Sequence, residues 1–170
     1  PVDLDQDFGY QPPMGEEGSI GTLIWEDTNA DGNFDDGETP IEGVTVDLYR
    51  DLNSDGKVNP GEPKIGSTTT GAVTGSGIAT SNYLFENLPF GEYVIDVTDE
   101  DGVLVGYWHS LGDQAEDRAD GESKSDPYGA VMEAVADQVA TIDACSSDYI
   151  NAVFGYYEAP GAVRYLVCAD

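Results

Sequence analysis

Short stretches in which hydrophobic and polar residues alternate run through this chain. Residues 18–25 form one such stretch, and Val44, Val46 and Leu48 place apolar side chains at every second position of another. A period of two is typical of β-strands that bury one face. Because 21 glycines and 9 prolines punctuate these stretches, the pattern predicts an all-β protein.

A pair of strands is predicted around a short turn. Tyr83 and Phe85 precede residues 87–91, which read NLPFG, and Tyr93 and Ile95 follow them. Asn, Pro and Gly in this arrangement favour a turn. We therefore expect two adjacent antiparallel strands here.

Four further segments complete the expected layout. Residues 103–111 and 148–157 are strand candidates, and residues 71–77 are expected to form a flexible loop. Residues 128–143 are ambiguous, because their valines also fit a helical stripe of about 3.6 residues per turn. We interpret this segment as extended, since valine favours strands, although the Ala and Glu content of VMEAVADQVA favours a helix.

Two acidic segments interrupt the strand pattern. Loop 1, residues 27–38, reads DTNADGNFDDGE, and loop 2, residues 51–62, reads DLNSDGKVNPGE and begins 24 residues later. Both fit the calcium-loop pattern D-x-[DN]-x-[DN]-G-x5-E, yet no helical pattern flanks either of them. In such a loop, positions 1, 3, 5, 9 and 12 and the carbonyl of position 7 surround the ion.

The pattern assigns a complete set of ligands to each loop. Loop 1 supplies Asp27, Asn29, Asp31, the carbonyl of Asn33, Asp35 and Glu38, and loop 2 supplies Asp51, Asn53, Asp55, the carbonyl of Lys57, Asn59 and Glu62. Mg²⁺ is less suited, because it keeps several waters and requires a strict octahedron. The sequence predicts two Ca²⁺ sites; the alternative is a pair of acidic hairpin loops that only solvate the surface.

The charge of the chain supports bound cations. It has 34 acidic and 6 basic residues and a formal net charge of -28. Such a charge destabilises the compact state through self-repulsion and disfavours contact with nucleic acid or anionic lipid. No apolar run is long enough to span a membrane. We therefore expect neither nucleic-acid partners nor membrane insertion, while adaptation to high salt is a further possible source of the charge.

A third acidic cluster follows these segments. Four carboxylates lie close together in it: Asp113, Glu116, Asp117 and Asp120. They either complete another cation site with Asp99 or Asp101 or form a solvated acidic loop. The residues alone leave both interpretations open.

Evidence for catalysis is weak. His109 is the single histidine, and the chain has no HExxH or G-x-S-x-G motif. We interpret residues 107–109 as part of a strand or its rim, and we expect no enzyme. The larger aromatic residues are expected in the core or on sheet faces: Trp25, Tyr49, Phe85 and Tyr93.

The two cysteines and the first residue give information about the cellular compartment of the protein. Cys145 and Cys168 permit one disulfide in an oxidising environment, or they are two free buried thiols. The sequence begins at Pro1, which fits either a mature secreted product or a piece of a longer protein.

An internal repeat links the two ends of the sequence. Residues 5–13 and 151–160 share Phe-Gly-Tyr followed by Pro. The chain therefore carries one edge-strand sequence twice. Residues 1–15 are expected to be either the last strand of a preceding repeat or a donor strand that enters another copy.

Four motifs resemble the SdrD B-like domain, the calcium-stiffened B repeat of bacterial serine-aspartate surface adhesins. They are G-S-I-G-x-x-I-W-x-D-x-N-x-D-G at 18–32, E-x-x-I-x-G-V-x-V-x-L at 38–48, Y-x-F-x-x-L-x-x-G-x-Y at 83–93 and F-G-Y at 154–156. The resemblance covers residues 16–158, with residues 159–170 as an extension. It implies a Greek-key β-sandwich, prealbumin-like or Cna-B-like, with calcium-binding loops. It also implies that the third acidic cluster belongs to a calcium site.

The resemblance implies a secreted or cell-surface structural module. This would be a spacer or repeat of an adhesin, or a filament subunit assembled head to tail by donor-strand exchange, with neighbouring copies or repeats as partners. The alternatives are an adhesive module for a host protein or glycan and a dockerin-like accessory module. A dockerin places a helix after each loop, whereas residues 42–48 alternate as a strand. Some relatives contain Lys-Asn isopeptide bonds; we expect none here, because Lys57, Lys64 and Lys124 are predicted in loops or turns.

Overall fold

The computed structural model describes residues 17–74, 81–110, 137–150 and 152–158. Within these ranges the regular secondary structure is entirely β, as predicted. The strands, numbered β1 to β11, are Glu17–Thr22, Ile24–Glu26, Thr39–Pro40, Thr45–Arg50, Lys64–Thr69, Tyr83–Pro89, Gly91–Val97, Tyr107–His109, Asp137–Ile142, Asp148–Tyr149 and Phe154–Glu158.

The strands form two layers. In layer A, β1 continues into β2 after Leu23. On one side of this pair of strands, β6 pairs with β1 and β3 pairs with β2. On the other side, β10 pairs with β1, β11 pairs with β2, and β8 pairs with β11. Layer B has the order β5-β4-β7-β9. The β1–β10 and β2–β11 pairs are parallel, whereas the other pairs are antiparallel. Because β6 lies in layer A while β5 and β7 lie in layer B, the chain crosses between layers, and the predicted Greek-key sandwich is confirmed.

One hydrophobic core fills the space between the layers. Ile20 and Phe154 reach it from layer A, and Val46, Leu48 and Ile95 reach it from layer B; all five side chains are fully buried. Burial of each such side chain stabilises the fold by about 1.5–3 kcal/mol. The alternating positions seen in the sequence therefore form the core.

Of the four aromatic residues expected in the core or on sheet faces, Trp25, Phe85 and Tyr93 are buried. Tyr49 is only partly buried, on the outer face of layer B beside Asp47. The expectation is confirmed for all four.

The predicted antiparallel pairing around residues 87–91 is wrong. β6 pairs with β1, whereas β7 pairs with β4 and β9, so Phe90 carries the chain from one layer to the other. One residue is too short for a hairpin loop, and Pro89 has no N–H to donate. Gly91 follows at φ 149°, and a Cβ there would lie 1.8 Å from the Arg50 guanidinium.

The strand predicted at 103–111 is shorter than expected. The carboxylate of Asp99 accepts hydrogen bonds from the N–H groups of Val103 and Leu104, both at 2.9 Å. These bonds hold residues 98–106 in a turn, and β8 begins only at Tyr107. The expectation that residues 107–109 belong to a strand is confirmed.

The C-terminal strand also differs from its prediction. Residues 148–157 form two strands, β10 and β11, rather than one. β11 carries the Phe-Gly-Tyr sequence and lies between β2 and β8, so it is an interior strand and not an edge strand.

Several predictions fall on residues that the structure does not describe. They concern residues 1–15 and 159–170, Cys168 and the third acidic cluster of Asp113, Glu116, Asp117 and Asp120. Of residues 128–143, the described part forms β9 and is extended, as predicted. Of the loop expected at 71–77, the structure describes residues 71–74, and the backbone of Thr74 pairs with that of Ser81.

The chain enters the sandwich at the end that holds loop 2. Glu17 faces Pro89 in the pairing of β1 with β6, and β7 begins at Gly91, two residues after Pro89. Arg50 faces Tyr93 near the start of β7, and loop 2 follows Arg50 directly. We call this the entry end.

Loop 1 lies at the opposite end, where the chain leaves. Tyr156 faces Glu26, the residue before loop 1, and Glu158 faces Tyr107. The turn of residues 98–106 lies here too, because it follows the far end of β7 and leads into β8. We call this the exit end.

Candidate metal centre

Each loop begins with a buried aspartate that the sheet holds in place. Asp27 and Asp51 are both buried. The Asp27 N–H donates to the carbonyl of Tyr156 at 2.7 Å, and the Asp51 N–H donates to that of Glu92 at 3.0 Å. The first predicted ligand of each loop is therefore positioned by the sandwich itself.

The two loops have the same backbone shape. Positions 4, 6 and 11 have positive φ in both loops: 58°, 81° and 103° at Ala30, Gly32 and Gly37, and 58°, 72° and 103° at Ser54, Gly56 and Gly61. Glycine adopts positive φ without the steric cost that other residues incur. The calcium-loop pattern thus corresponds to one local structure that occurs twice.

Both aspartates at position 1 close the loop on the glycine at position 6. Gly32 N–H donates to Asp27 Oδ2 at 2.8 Å, and Gly56 N–H donates to Asp51 Oδ2 at 2.9 Å. This bond draws the first half of each loop around the aspartate.

The glutamate at position 12 binds both halves of its loop. One oxygen of Glu38 accepts from Thr28 N–H at 2.8 Å, and the other accepts from Asp35 N–H at 3.0 Å. Glu62 makes the equivalent bonds with Leu52 at 2.9 Å and Asn59 at 2.8 Å. Both oxygens of each glutamate therefore face their own loop, as a bidentate ligand requires.

Amide groups collect further oxygen atoms inside the loops. Asn29 Nδ2 lies 2.9 Å from Asp31 Oδ2 and 3.1 Å from Asp35 Oδ2. Asn59 Nδ2 lies 2.9 and 3.0 Å from the two Asp55 oxygens and 3.2 Å from the Lys57 carbonyl. In each case a group with partial positive charge gathers oxygen atoms that the pattern assigns to calcium.

The protonation state of Asp55 follows from these contacts. Desolvation acts to raise the pKa of this carboxyl group, but hydrogen bonds from Asn59, Asn53 and the Lys57 N–H lower it overall. Asp55 is therefore ionised and able to bind a cation at neutral pH.

The donor chemistry fits Ca²⁺. Across the described ranges, no three His, Cys, Asp or Glu side chains gather as a ready metal cluster. The loops combine carboxylates with Asn and backbone oxygens, and an all-oxygen set suits a hard cation. Loop 1 contains no Lys or Arg to offset its buried carboxylates, which are costly to bury without a positive partner.

Contacts outside the pattern join each loop to the sandwich. The Phe34 ring meets the Trp25 ring edge-on, with centroids 5.8 Å apart, and so connects loop 1 to β2. In loop 2 the Ser54 hydroxyl hydrogen-bonds the Glu92 carboxylate. A Cβ on Gly56 would lie 2.8 Å from Val139 Cγ2, so loop 2 rests on β9.

Sequence reasoning missed Asn82, which stabilises the strand before loop 1. Its Oδ1 accepts from Ile24 N–H at 3.0 Å, and its Nδ2 donates to the carbonyls of Ile24 at 2.9 Å and Ile41 at 3.0 Å. The side chain thus ties β2 to the segment after β3. The one sequence feature that could have indicated this role is an amide side chain directly before a strand that contains aromatic residues.

The predicted position of Lys64 is wrong, because it is the first residue of β5 rather than part of a loop or turn. Its Nζ lies 2.5 Å from Oδ2 of the buried Asp47, which also accepts from the Ser67 hydroxyl at 2.6 Å. Lys64 therefore forms an ion pair with a carboxylate.

Cys145 is exposed, so the alternative of a buried thiol is wrong for this residue. It lies in a tight turn closed by hydrogen bonds between Asp143 and Ser146. Because Cys168 lies outside the described residues, the disulfide stays a prediction. No helix in the part of the chain that the structure describes is long and apolar enough to cross a membrane.

Comparison with known proteins found a matching family model and similar staphylococcal proteins. The profile of the SdrD B-like domain matches residues 18–146. The chain is 39% identical over 104 residues to serine-aspartate repeat-containing protein F of Staphylococcus epidermidis, a match that covers 61% of this chain and 5% of that protein. It is 36% identical over 119 residues to a fibrinogen-binding protein of the same species, covering 70% and 9% respectively.

This chain therefore spans less than a tenth of the length of either relative. Among solved structures, the full-length major pilin SpaD of Corynebacterium diphtheriae matches with a TM-score of 0.39 and 16% identity, over 87% of this chain and 34% of the pilin.

Proposed function

Because this chain belongs to the SdrD B-like domain family, we propose that it is an extracellular structural module, a spacer or repeat of a larger surface protein, made rigid by calcium. The observation that carries this proposal is the identical architecture of the two loops. Each has a buried aspartate at position 1 and a glutamate at position 12 whose two oxygens face the loop.

Calcium supplies positive charge to two loops of which loop 1 has no basic residue and loop 2 has only Lys57. In loop 1 it would be held by Asp27, Asn29, Asp31, the Asn33 carbonyl, Asp35 and Glu38; in loop 2 by Asp51, Asn53, Asp55, the Lys57 carbonyl, Asn59 and Glu62. Carboxylates that repel one another then share an attractive centre. Since the ion binds the folded loop far better than an unfolded one, its binding free energy adds to the free energy of unfolding.

The placement of the loops suits a spacer. One loop stiffens the end where the chain enters and the other the end where it leaves. The strands nearest the two termini of the sandwich, β1–β2 and β10–β11, are neighbours and run parallel. Tension along the chain therefore shears their hydrogen bonds together instead of breaking them one by one.

The experiment that tests this proposal is thermal unfolding with calcium and with chelator. We expect calcium to raise the Tm and protease resistance, and Glu38→Ala and Glu62→Ala each to remove one binding event in calorimetry. Asp36→Ala is the matched control, because Asp36 is an exposed carboxylate of loop 1 that the pattern does not assign to the ion. Absence of calcium binding by chelator-treated protein would contradict the proposal.

The dockerin alternative is wrong, because a strand follows each loop: β3 follows loop 1 and β5 follows loop 2. A filament assembled by donor-strand exchange stays a second candidate, supported by the repeated Phe-Gly-Tyr sequence. The third acidic cluster, Asp113, Glu116, Asp117 and Asp120, stays proposed as part of a further calcium site. We expect no catalytic activity.

A further inference from the structure

Four Asp-Gly pairs lie within the described residues, and this dipeptide is chemically reactive. The pairs are Asp31–Gly32, Asp36–Gly37, Asp55–Gly56 and Asp101–Gly102. The backbone nitrogen of the residue after an aspartate can attack the carboxyl carbon of the aspartate side chain. Glycine hinders this attack least, because it has no Cβ. Since the four pairs share their chemistry, their surroundings decide which of them reacts.

Three of the four pairs hold the attacking nitrogen in a hydrogen bond. The N–H groups of Gly32 and Gly56 donate to the aspartates at position 1 of their loops, at 2.8 and 2.9 Å. The Gly102 N–H donates to the carbonyl of Asp99 at 3.0 Å. Ring closure at these pairs must first break that bond, which slows the reaction by about fivefold.

The Asp36–Gly37 pair has no such restraint. Both residues are exposed. Across the described ranges, neither the Asp36 carboxylate nor the Gly37 N–H makes a hydrogen bond. A Cβ built on Gly37 would meet no atom within 4 Å. The carboxyl group and the nitrogen of this pair are therefore free to approach each other.

Loop 2 has the same backbone at this place but lacks the carboxyl group. Pro60 and Gly61 occupy positions 10 and 11 of loop 2, where loop 1 has Asp36 and Gly37. Both glycines have φ 103°, which favours glycine over other residues. The reactive pair thus belongs to loop 1 alone, and loop 2 is its natural control.

We propose that Asp36 is a site of spontaneous isoaspartate formation. The Gly37 nitrogen bonds to Cγ of Asp36 and the Cγ–OH bond breaks, so the hydroxyl group and the amide proton leave as water and a succinimide ring remains. Water then adds to the backbone carbonyl carbon of Asp36, whose bond to the Gly37 nitrogen breaks. The main chain now runs through Cβ and Cγ, and the former backbone carbonyl is a free carboxylate. No other reactant is needed.

The consequence for calcium rests on the proposed function. The new linkage lengthens the main chain by one carbon between Asp35 and Glu38, which are positions 9 and 12 of loop 1. Glu38 then loses the placement in which its two oxygens accept from Thr28 and Asp35, at 2.8 and 3.0 Å. Conversely, an ion held on both sides of the pair restricts the rotation that ring closure needs. Calcium should therefore slow the reaction, and the completed reaction should remove calcium binding by loop 1.

The test is storage of the full chain at neutral pH and physiological temperature, with saturating calcium or with chelator. Peptide mass spectrometry with electron-transfer fragmentation locates each isoaspartate, and isoaspartyl methyltransferase measures the total. With chelator, we expect isoaspartate at Asp36 to form about fivefold faster than at Asp31, Asp55 or Asp101, whose following glycines are hydrogen-bonded. Calcium should slow its formation at Asp36.

Asp36→Glu is the matched control, because it keeps the charge but would have to close a larger, six-membered ring. Fresh variant and fresh native protein should bind calcium equally. After storage with chelator, the native protein should lose the calorimetric binding event of loop 1, whereas the variant should keep both events. Isoaspartate no more abundant at Asp36 than at the other three aspartates would overturn the proposal. Isoaspartate at Asp36 with both binding of calcium and its protection absent would support the modification and contradict the calcium site of loop 1.

Discussion

At the scale of single residues, one position distinguishes the two predicted calcium sites. Position 9 is Asp35 in loop 1 and Asn59 in loop 2, while both loops share Asp at positions 1 and 5 and Glu at position 12. The shared backbone shape means that ligand charge, and not loop geometry, is the main difference between them. Reciprocal substitutions can therefore test the contribution of one carboxylate.

We predict that loop 1 binds calcium more tightly, and that Asp35→Asn weakens it by about tenfold, which corresponds to about 1.4 kcal/mol. Asn59→Asp should strengthen loop 2 by a similar factor. Calorimetry measures each loop alone when Glu62→Ala or Glu38→Ala disables the other. Equal affinities of the two native loops would contradict the prediction.

The ion pair of Lys64 and Asp47 predicts a pH dependence. The hydrogen bond to Asp47 raises the pKa of Lys64 above its ordinary value. A raised lysine pKa stabilises the fold fully below the unfolded-state pKa of about 10.4, and this contribution is lost as pH rises through the folded-state pKa. We therefore expect the Tm to fall above about pH 10.

Two variants remove the contributions of Lys64 and Tyr49 to this alkaline decline, to which Tyr83, Tyr93 and Tyr107 also contribute because burial raises their pKa values. Burial and the nearby Asp47 also raise the pKa of Tyr49, so Tyr49→Phe removes its share. In that background, Lys64→Met should lower the Tm at pH 8, because it leaves Asp47 buried without its cation, and should flatten the remaining decline. A decline as steep as that of the native protein would contradict the assignment.

At the scale of elements, the strand before loop 1 is joined to the loop through aromatic contact. Trp25 is buried in β2, and Phe34 packs against it from the loop. Loop 2 has no aromatic residue and rests instead on β7 and β9. The elements around the two loops should therefore respond differently to calcium.

We predict that Trp25 fluorescence reports calcium binding to loop 1 only, because ordering of the loop fixes Phe34 against the indole. The measurement needs a Trp108→Phe background, since Trp108 lies in β8 at the same end. Glu38→Ala should abolish the emission change, and Glu62→Ala should leave it intact. The reverse pattern would show that the Trp25–Phe34 contact does not couple to the loop.

At the scale of the whole molecule, the two ends of the sandwich bear on the proposed choice between a spacer and a filament. β1 begins at Glu17 at the entry end, and β11 ends at Glu158 at the exit end. The Phe-Gly-Tyr sequence near residue 10 repeats that of β11, which lies between two strands. A donated copy of it must therefore either replace β11 or pair with an exposed strand edge.

Deletion of residues 1–13 separates the filament from the spacer. If the segment is a donor strand, full-length protein should polymerise with calcium, and the truncated protein should fold with an unchanged Tm but stay monomeric. If it is the end of a preceding repeat, both proteins should sediment alike. Sedimentation velocity with calcium present distinguishes the two outcomes, and equal sedimentation would exclude donation.

Local pattern was sufficient for the two loops and for the strands in which apolar residues alternate regularly. Alternation at Val44, Val46 and Leu48 predicts a strand with one buried face, because neighbouring side chains of a strand point to opposite faces. The calcium-loop pattern likewise predicted the segments whose equivalent glycines have positive φ, Gly32 and Gly56. Both features depend on residues within one short segment, so the sequence by itself determines them.

Tertiary structure decided everything that joins distant segments. The sequence around residues 87–91 cannot show that β6 and β7 lie in different layers, because their partners β1 and β4 are far away in the chain. For the same reason it cannot show that Asn82 ties β2 to the segment after β3, or that Lys64 reaches Asp47. Phe34 and Val58 occupy equivalent loop positions, yet only Phe34 has a tryptophan beside it. Val58 stays exposed because the pairing of distant strands sets which loop residues are covered.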